Sequence, residues 1–320
     1  IASRILGLFR EQVKAFFLGT GTAADAFTVA FMIPNLLRRF LAEGIMSACV
    51  VPVFSEFLAN LGEKESKRFA SVLLGTLLLL LLFIVSAGVL LAPLYVPALF
   101  SSFSSSKQNL ASSLTAILFS YVGFVAVAAL LQGILNCHGR FSLPAFCPVL
   151  FNIVVVLGTL LFAPRSAELH AQAKAARIMA GCVLVGGLFQ AALLLREYLK
   201  LGYPLLPRIS FKHEGVKRAA TLLGPVVLGA GIYQINTVIA LVLAAGVPYE
   251  GACAALTYSN RLLELALGVF VVSVTTVALP GLSRLWAKGL RERFFDQTAF
   301  ALKLVLLVSI PAGAGLLALR

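Results

Sequence analysis

Apolar residues run along this chain in long stretches that charge does not interrupt. Val72–Pro93 and Ile178–Leu195 contain no Asp, Glu, Lys or Arg over about the 20 residues that a helix needs to cross a bilayer. Neither run alternates polar and apolar residues with a period of two, and both are too long for barrel strands, so the pattern predicts membrane-spanning helices. Nine hydrophobic segments are expected, near 1–18, 25–59, 69–100, 110–136, 144–163, 178–195, 219–246, 252–282 and 298–319. The second is too long for one straight span, and Pro34 and Pro52 give it places to bend. The fold class that follows is all-α and polytopic.

Composition agrees. Charged residues make up 12% of the 320, against about a quarter in soluble domains, so most of the surface faces something other than water. The formal net charge of +13 would suggest nucleic acid in a soluble protein. In a membrane protein the same charge gathers in cytoplasmic loops and in cavities for anions, and no nucleic-acid partner is expected. With the N-terminus in the cytoplasm, the inner loops hold Lys64, Lys67, Arg68, Arg140, Arg196, Lys200, Arg208, Lys212, Lys217, Arg218, Arg284, Lys288, Arg291 and Arg293. The outer loops hold only Lys107, Arg165, Lys174 and Arg177. That is the bias of positive charge toward the inside that orients membrane proteins. The 164–177 loop is its one misfit.

The longest inner loop, Arg196–Arg218, contains Pro204, Pro207 and a dense set of charges, and reads as a connector between two bundles. The expected organisation is an N-terminal lobe of six helices over 1–197, a cytoplasmic connector over 198–217, and the first three helices of a second lobe over 218–320. The chain opens at Ile1 and closes at Arg320 directly after an apolar run, so it is expected to be part of a longer protein. Cys49, Cys137, Cys147, Cys182 and Cys253 sit mostly inside apolar runs and read as small core residues rather than a disulfide or metal framework.

The charges inside the apolar segments carry the chemistry. In the first segment Ser3, Arg4, Gly7, Arg10, Glu11 and Lys14 fall within one helical arc of about 120°. Ile1, Ile5, Leu6, Phe9, Val13, Phe16 and Phe17 fill the other side, with Gln12 and Leu18 breaking the separation. A helix lying in the membrane surface would show a similar pattern. The second segment carries Asn35, Arg38, Arg39 and Glu43, and the eighth Arg261 and Glu264. Arg39–Glu43 and Arg261–Glu264 have the spacings of intrahelical ion pairs and could simply neutralise each other at an interface. Each lone cation left in lipid, however, costs about 2.5–3.5 kcal/mol or more. Arg4, Arg10, Lys14, Arg38, Arg39 and Arg261 are therefore expected to face one shared cavity, with Glu11, Glu43 and Glu264 offsetting part of the charge. Several arginines suit a phosphate, which their planar forks grip in bidentate fashion. Asp25 fits a helix N-cap as well as a functional carboxylate, and Lys303 reads as snorkelling to the inner surface. There is no Walker A sequence, His138, His170 and His213 lack metal-ligand spacing, and no nucleophile–base set stands out. Enzyme chemistry, cofactors and metals are not expected.

Ser3–Glu11 (SRILGLFRE), Gly19–Phe27 (GTGTAADAF) and Ile33–Gly44 (IPNLLRRFLAEG) resemble the N-terminal pattern of the MurJ/MviN family. Pro34 to Gly44 is the most specific part. Asn136–Pro144 (NCHGRFSLP), Gly224-Pro225, Tyr258–Glu264 (YSNRLLE) and Leu279–Ser283 (LPGLS) extend the resemblance along the chain. The resemblance implies two six-helix lobes around a central cavity plus two further helices, of which this chain carries the first nine. It implies a flippase that moves undecaprenyl-diphosphate-linked peptidoglycan precursor, lipid II, from the inner to the outer leaflet of the bacterial cytoplasmic membrane. Membrane lipid, that anionic lipid-diphosphate and cell-wall synthesis machinery are the implied partners. It places substrate-binding arginines at Arg4, Arg10, Arg38, Arg39 and Arg261, and supporting acidic residues at Glu11, Asp25, Glu43 and Glu264. Ala266 replaces a proline frequent in relatives, and Ala240 stands where some carry an Asp or Asn used for sodium. An exporter of drugs or another polysaccharide lipid, and a transport-inactive cell-wall scaffold, are the competing readings.

Overall fold

The computed structural model describes residues 2–166, 168–266 and 272–318, and among them every regular element is a helix. In chain order these are α1 (Ala2–Leu18), α2 (Thr22–Arg38), a π-helical segment (Arg39–Val50), α3 (Val51–Asn60), α4 (Gly62–Leu90), α5 (Ala92–Leu99), α6 (Ser105–Cys137), α7 (Ser142–Phe162), α8 (Leu169–Lys200), α9 (Glu214–Ala245), α10 (Ala252–Ala266), α11 (Val272–Ala287) and α12 (Arg291–Ala318). Among the described residues α4, α6, α7, α8 and α12 are long and apolar enough to cross a membrane.

Proline explains most breaks within the expected segments. The third segment becomes α4 and α5 because Pro93 sits in the first turn of α5, where its missing N–H and fixed φ suit a helix start but not a continuing helix. The long second segment stays helical throughout, but between Pro34, inside α2, and Pro52, in the first turn of α3, the turns widen to π geometry. A proline ring clashes with the carbonyl four residues earlier, and a wider turn relieves that crowding at Pro52. The eighth segment is helical over its described parts, α10 and α11; residues 267–271 between them lie outside the described set.

The chain forms two compact units, 1–255 and 256–320. In the first, α6 is the central helix: it packs most extensively on α8 and α2, and also on α4, α5 and the π segment. Nineteen of its residues are buried, which is why its sequence shows no polar face. Glycines let neighbours close in, as small residues do at membrane helix interfaces. A β-carbon at Gly187 of α8 would lie 2.6 Å from the Tyr121 ring of α6. A core of Val53, Phe54 and Phe57 (α3), Phe69 to Leu81 (α4), Leu130 to Leu135 (α6) and Tyr198 (α8) fills one end of the bundle. In the second unit α11 packs on α12.

Candidate functional site

α1 is inverted relative to a helix of a soluble protein. Ile5 and Phe16 are 61% and 71% exposed, while Lys14 is only 5% exposed. Lys14 of its polar arc faces the bundle while Ile5, Phe9 and Phe16 face out, with Val13 and Phe17 buried at the edge of the apolar side; a helix lying on a membrane surface would not bury its cation. Arg10 occupies the middle of that arc. One terminal nitrogen donates to Asn152 Oδ1 of α7 at 3.2 Å, the other to Glu11 Oε1 at 2.9 Å, and the guanidinium carbon lies 5.8 Å from the centre of the Phe151 ring. Asn152 is held in turn by donating to the carbonyls of Pro148 and Ser3. One turn on, Lys14 donates to Thr28 Oγ1 of α2 at 3.0 Å and stands 3.9 Å from Glu11, with the Phe27 ring 5.6 Å away. The apolar surroundings strengthen each of these charged contacts.

Arg38, in the last turn of α2, donates from Nε to Asn35 Oδ1 at 3.1 Å. The ring of Tyr121 on α6 meets Phe31 of α2 at 6.4 Å and Phe151 at 5.5 Å. α1, α2, α6 and α7 thus present Arg10, Lys14, Glu11, Asn152 and Arg38 around one aromatic floor. Arg39 opens the π segment, half-buried. Arg261 is half-buried on α10 in the second unit. The side chains of Arg4, Glu43 and Glu264 lie outside the described set, and with them the two expected intrahelical ion pairs.

Asp25 does not cap its own helix; Gly21 holds that place. It is 1% exposed and receives the Lys107 ammonium at 2.6 Å. Its two oxygens also accept the backbone N–H groups of Gly251 at 3.0 Å and Ala254 at 2.8 Å. The carboxylate therefore caps the N-terminus of α10 from another helix, where four N–H groups lack intrahelical partners and the dipole favours negative charge. Gly251 makes this approach possible: its φ is +89°, and a β-carbon there would overlap the Thr20 carbonyl. Thr22 donates to Glu250 at 2.8 Å and Ser102 to the Ala245 carbonyl at 2.7 Å. These contacts fasten the loops 19–21, 100–104 and 246–251 together at one end of the unit. At the opposite end, the ion pair Arg140–Glu197 at 3.0 Å ties the loop after α6 to the end of α8, and Arg218–Glu56 at 2.7 Å ties the start of α9 to α3.

Sequence reasoning missed Asn152, Thr28 and Lys107. A lone Asn in an apolar run is itself a signal. Lys107 reads as a loop charge, and only the fold brings it to Asp25, 82 positions away.

A cationic polar face turned inward in a bundle of long apolar helices defines a polytopic membrane protein with a charged interior, and its fold is shared with a solved member of the MOP superfamily. An inward-facing multidrug-resistance MATE transporter of that superfamily superposes with a TM-score of 0.69 at 15% identity, over 97% of this chain and 69% of that one. Within that class, the family model for the lipid II flippase MurJ matches residues 14–320, and the chain belongs to the MurJ family. A solved lipid II flippase MurJ in an inward closed conformation gives a TM-score of 0.77 at 27% identity, over 99% of this chain and 63% of that one. The probable lipid II flippase of Treponema pallidum is 35% identical over 98% of this chain and 59% of its own length. The lipid II flippase of Burkholderia cenocepacia is 31% identical over 99% and 61% respectively. The chain thus spans about three fifths of the relatives it matches.

Proposed function

We propose that the protein flips undecaprenyl-diphosphate-linked peptidoglycan precursor across the bacterial cytoplasmic membrane by alternating access, with its N-terminus in the cytoplasm. The observation that carries this reading is the inward cationic face of Arg10, Lys14 and Arg38 in an otherwise apolar bundle, in a chain of the MurJ family. A lipid-linked diphosphate offers what such a face requires: anionic oxygens for arginine forks, and a tail that stays in the bilayer while the headgroup crosses. Arg4, Arg39 and Arg261 belong to the same substrate set in this reading, and Glu11, Asp25, Glu43 and Glu264 support it. Asp25 acts at a distance, by holding the loops of one end shut. Six helices over 1–197 and those after 218 form the two lobes whose rocking exposes the face alternately.

The test is complementation. A bacterium depleted of its own flippase should recover growth and external display of lipid II when the full-length protein is supplied. Recovery by a variant with Arg10→Ala and Arg261→Ala together would overturn the reading in favour of a scaffold.

A further inference from the structure

The stretch between α8 and α9 is an ordered strap, seated in the N-terminal unit. Tyr203 is buried and its hydroxyl meets His138 Nε2 at 3.0 Å. Arg208 donates its backbone N–H to the carbonyl of Ser71, inside α4, at 3.0 Å. A helix carbonyl is normally screened by the side chain four residues on. Here that residue is Gly75, and a β-carbon on it would overlap the Arg208 carbonyl. The strap ends where His213 stacks on Phe69 at 5.1 Å and accepts the Gly215 N–H to cap α9.

Its depth follows from α4. The last charge of that helix is Arg68, and the run from Phe69 to Leu90 is uncharged. Ser71 and Gly75 lie about 3–9 Å below the start of that run, at 1.5 Å per residue. That is the level at which interfacial segments bury their apolar groups, about 5–10 Å into the headgroup–acyl boundary. At that level the strap points Leu205, Leu206, Ile209 and Phe211 outward, Leu206 being 70% exposed. Arg208 and Lys212 stand among them, both exposed, and among the described residues neither side chain has a hydrogen-bond or ion-pair partner. Residues 198–213 contain no acidic residue.

We propose that residues 204–212 are an interfacial strap whose Leu205, Leu206, Ile209 and Phe211 insert into one leaflet, while Arg208 and Lys212 bind the phosphates of anionic phospholipids there. Apolar side chains at this depth bury their area in acyl chains, and the two long cations reach back to the headgroups. The occupant is phospholipid rather than transported cargo because the strap is seated on α4, through Arg208 and Ser71, whereas Arg10 is held against α7 by Asn152. Assigning the leaflet as cytoplasmic rests on the proposed orientation.

The experiment uses the full-length protein in vesicles of phosphatidylcholine with and without phosphatidylglycerol. A fluorophore on Ile209→Cys should be quenched by a nitroxide near the top of the acyl chains and protected from a water-soluble quencher, and Gly75→Leu should reverse that preference. Replacing Arg208 and Lys212 by Gln should lower retention of phosphatidylglycerol about five-fold per charge removed, equivalent to ~1 kcal/mol for each cation near an anionic surface. Stronger quenching from water, shielding from both quenchers (protein covering the strap), or retention unchanged in the double variant would each overturn the proposal. Cys at Lys64, labelled by an impermeant reagent from outside, would overturn the leaflet assignment and the proposed orientation together, whatever the strap does.

Discussion

Arg10 uses two different nitrogens for two different partners, Asn152 and Glu11. A lysine has one ammonium and no planar fork, so charge alone cannot reproduce the arrangement. Arg10→Lys should lower display of lipid II at the outer surface about tenfold or more, the worth of one charge-assisted hydrogen bond of ~1.5 kcal/mol, and should fall close to Arg10→Ala. Full activity of the lysine variant would mean that only a positive field is needed. The buried pair of Asp25 and Lys107 has a different logic. Lys107→Met leaves a buried carboxylate with two N–H donors and no counter-charge, and should destabilise by about 3–5 kcal/mol. Adding Asp25→Asn removes that stranded charge, so the double variant should unfold later on heating than the sum of the two single changes requires. Strict additivity in detergent melts would show that the two side chains do not act as a unit.

At the scale of elements, the joint between the strap and α9 depends on a neutral imidazole. Burial pushes the His213 pKa below 6.5 and the Arg68 charge adds to it, with Glu65 and Glu214 pulling weakly the other way. Between the depressed folded value and 6.5 the unfolded chain holds more protons, so stability rises with pH across that window and is lost as pH falls through it. His213→Asn keeps an N-cap oxygen without titrating there. The wild-type melting temperature should therefore drop more than that of the variant between roughly pH 7 and pH 5; equal drops would remove His213 from the account. The sequence tells much about elements and less about their joints. Hydrophobic run length locates the helices, and the arc of α1 tells which side of it faces the bundle, because both signals repeat locally along the chain. The seat of the strap at Gly75, the capping of α10 by Asp25 and the burial of Lys107 each join residues more than 80 positions apart. No local period encodes them. The π turns between Pro34 and Pro52 lie between the two, since the prolines mark the place but not the geometry.

At the scale of the molecule, the proposed function carries an expectation about the energy source. The chain has no ATP-binding loop, and the proposed cargo carries a diphosphate. Each negative charge leaving a cell that is negative inside gains about 2.3 kcal/mol per 100 mV, and in the proposed cycle the emptied cationic face would return inward down the same field. Ala240, which the family resemblance sets opposite a sodium-binding Asp or Asn, leads us to expect a cycle that needs no sodium. Collapsing the membrane potential should stall display of lipid II, whereas removing sodium at constant potential should leave it running. The clasp at Asp25 also sets an order of assembly during synthesis. Lys107 follows Asp25 by 82 residues, but Gly251 and Ala254 follow by 226 and 229. At about 5–20 residues per second, the ammonium reaches the carboxylate roughly 4–16 seconds after Asp25 is made, and the start of α10 only after about 11–45 seconds. In that interval Lys107 is the one of these three partners already synthesised. A nascent chain lacking Lys107 would have to wait for the backbone donors of Gly251 and Ala254 before any of these partners met the carboxylate, so Lys107→Met is expected to lower the amount of protein inserted as well as the stability of the finished fold.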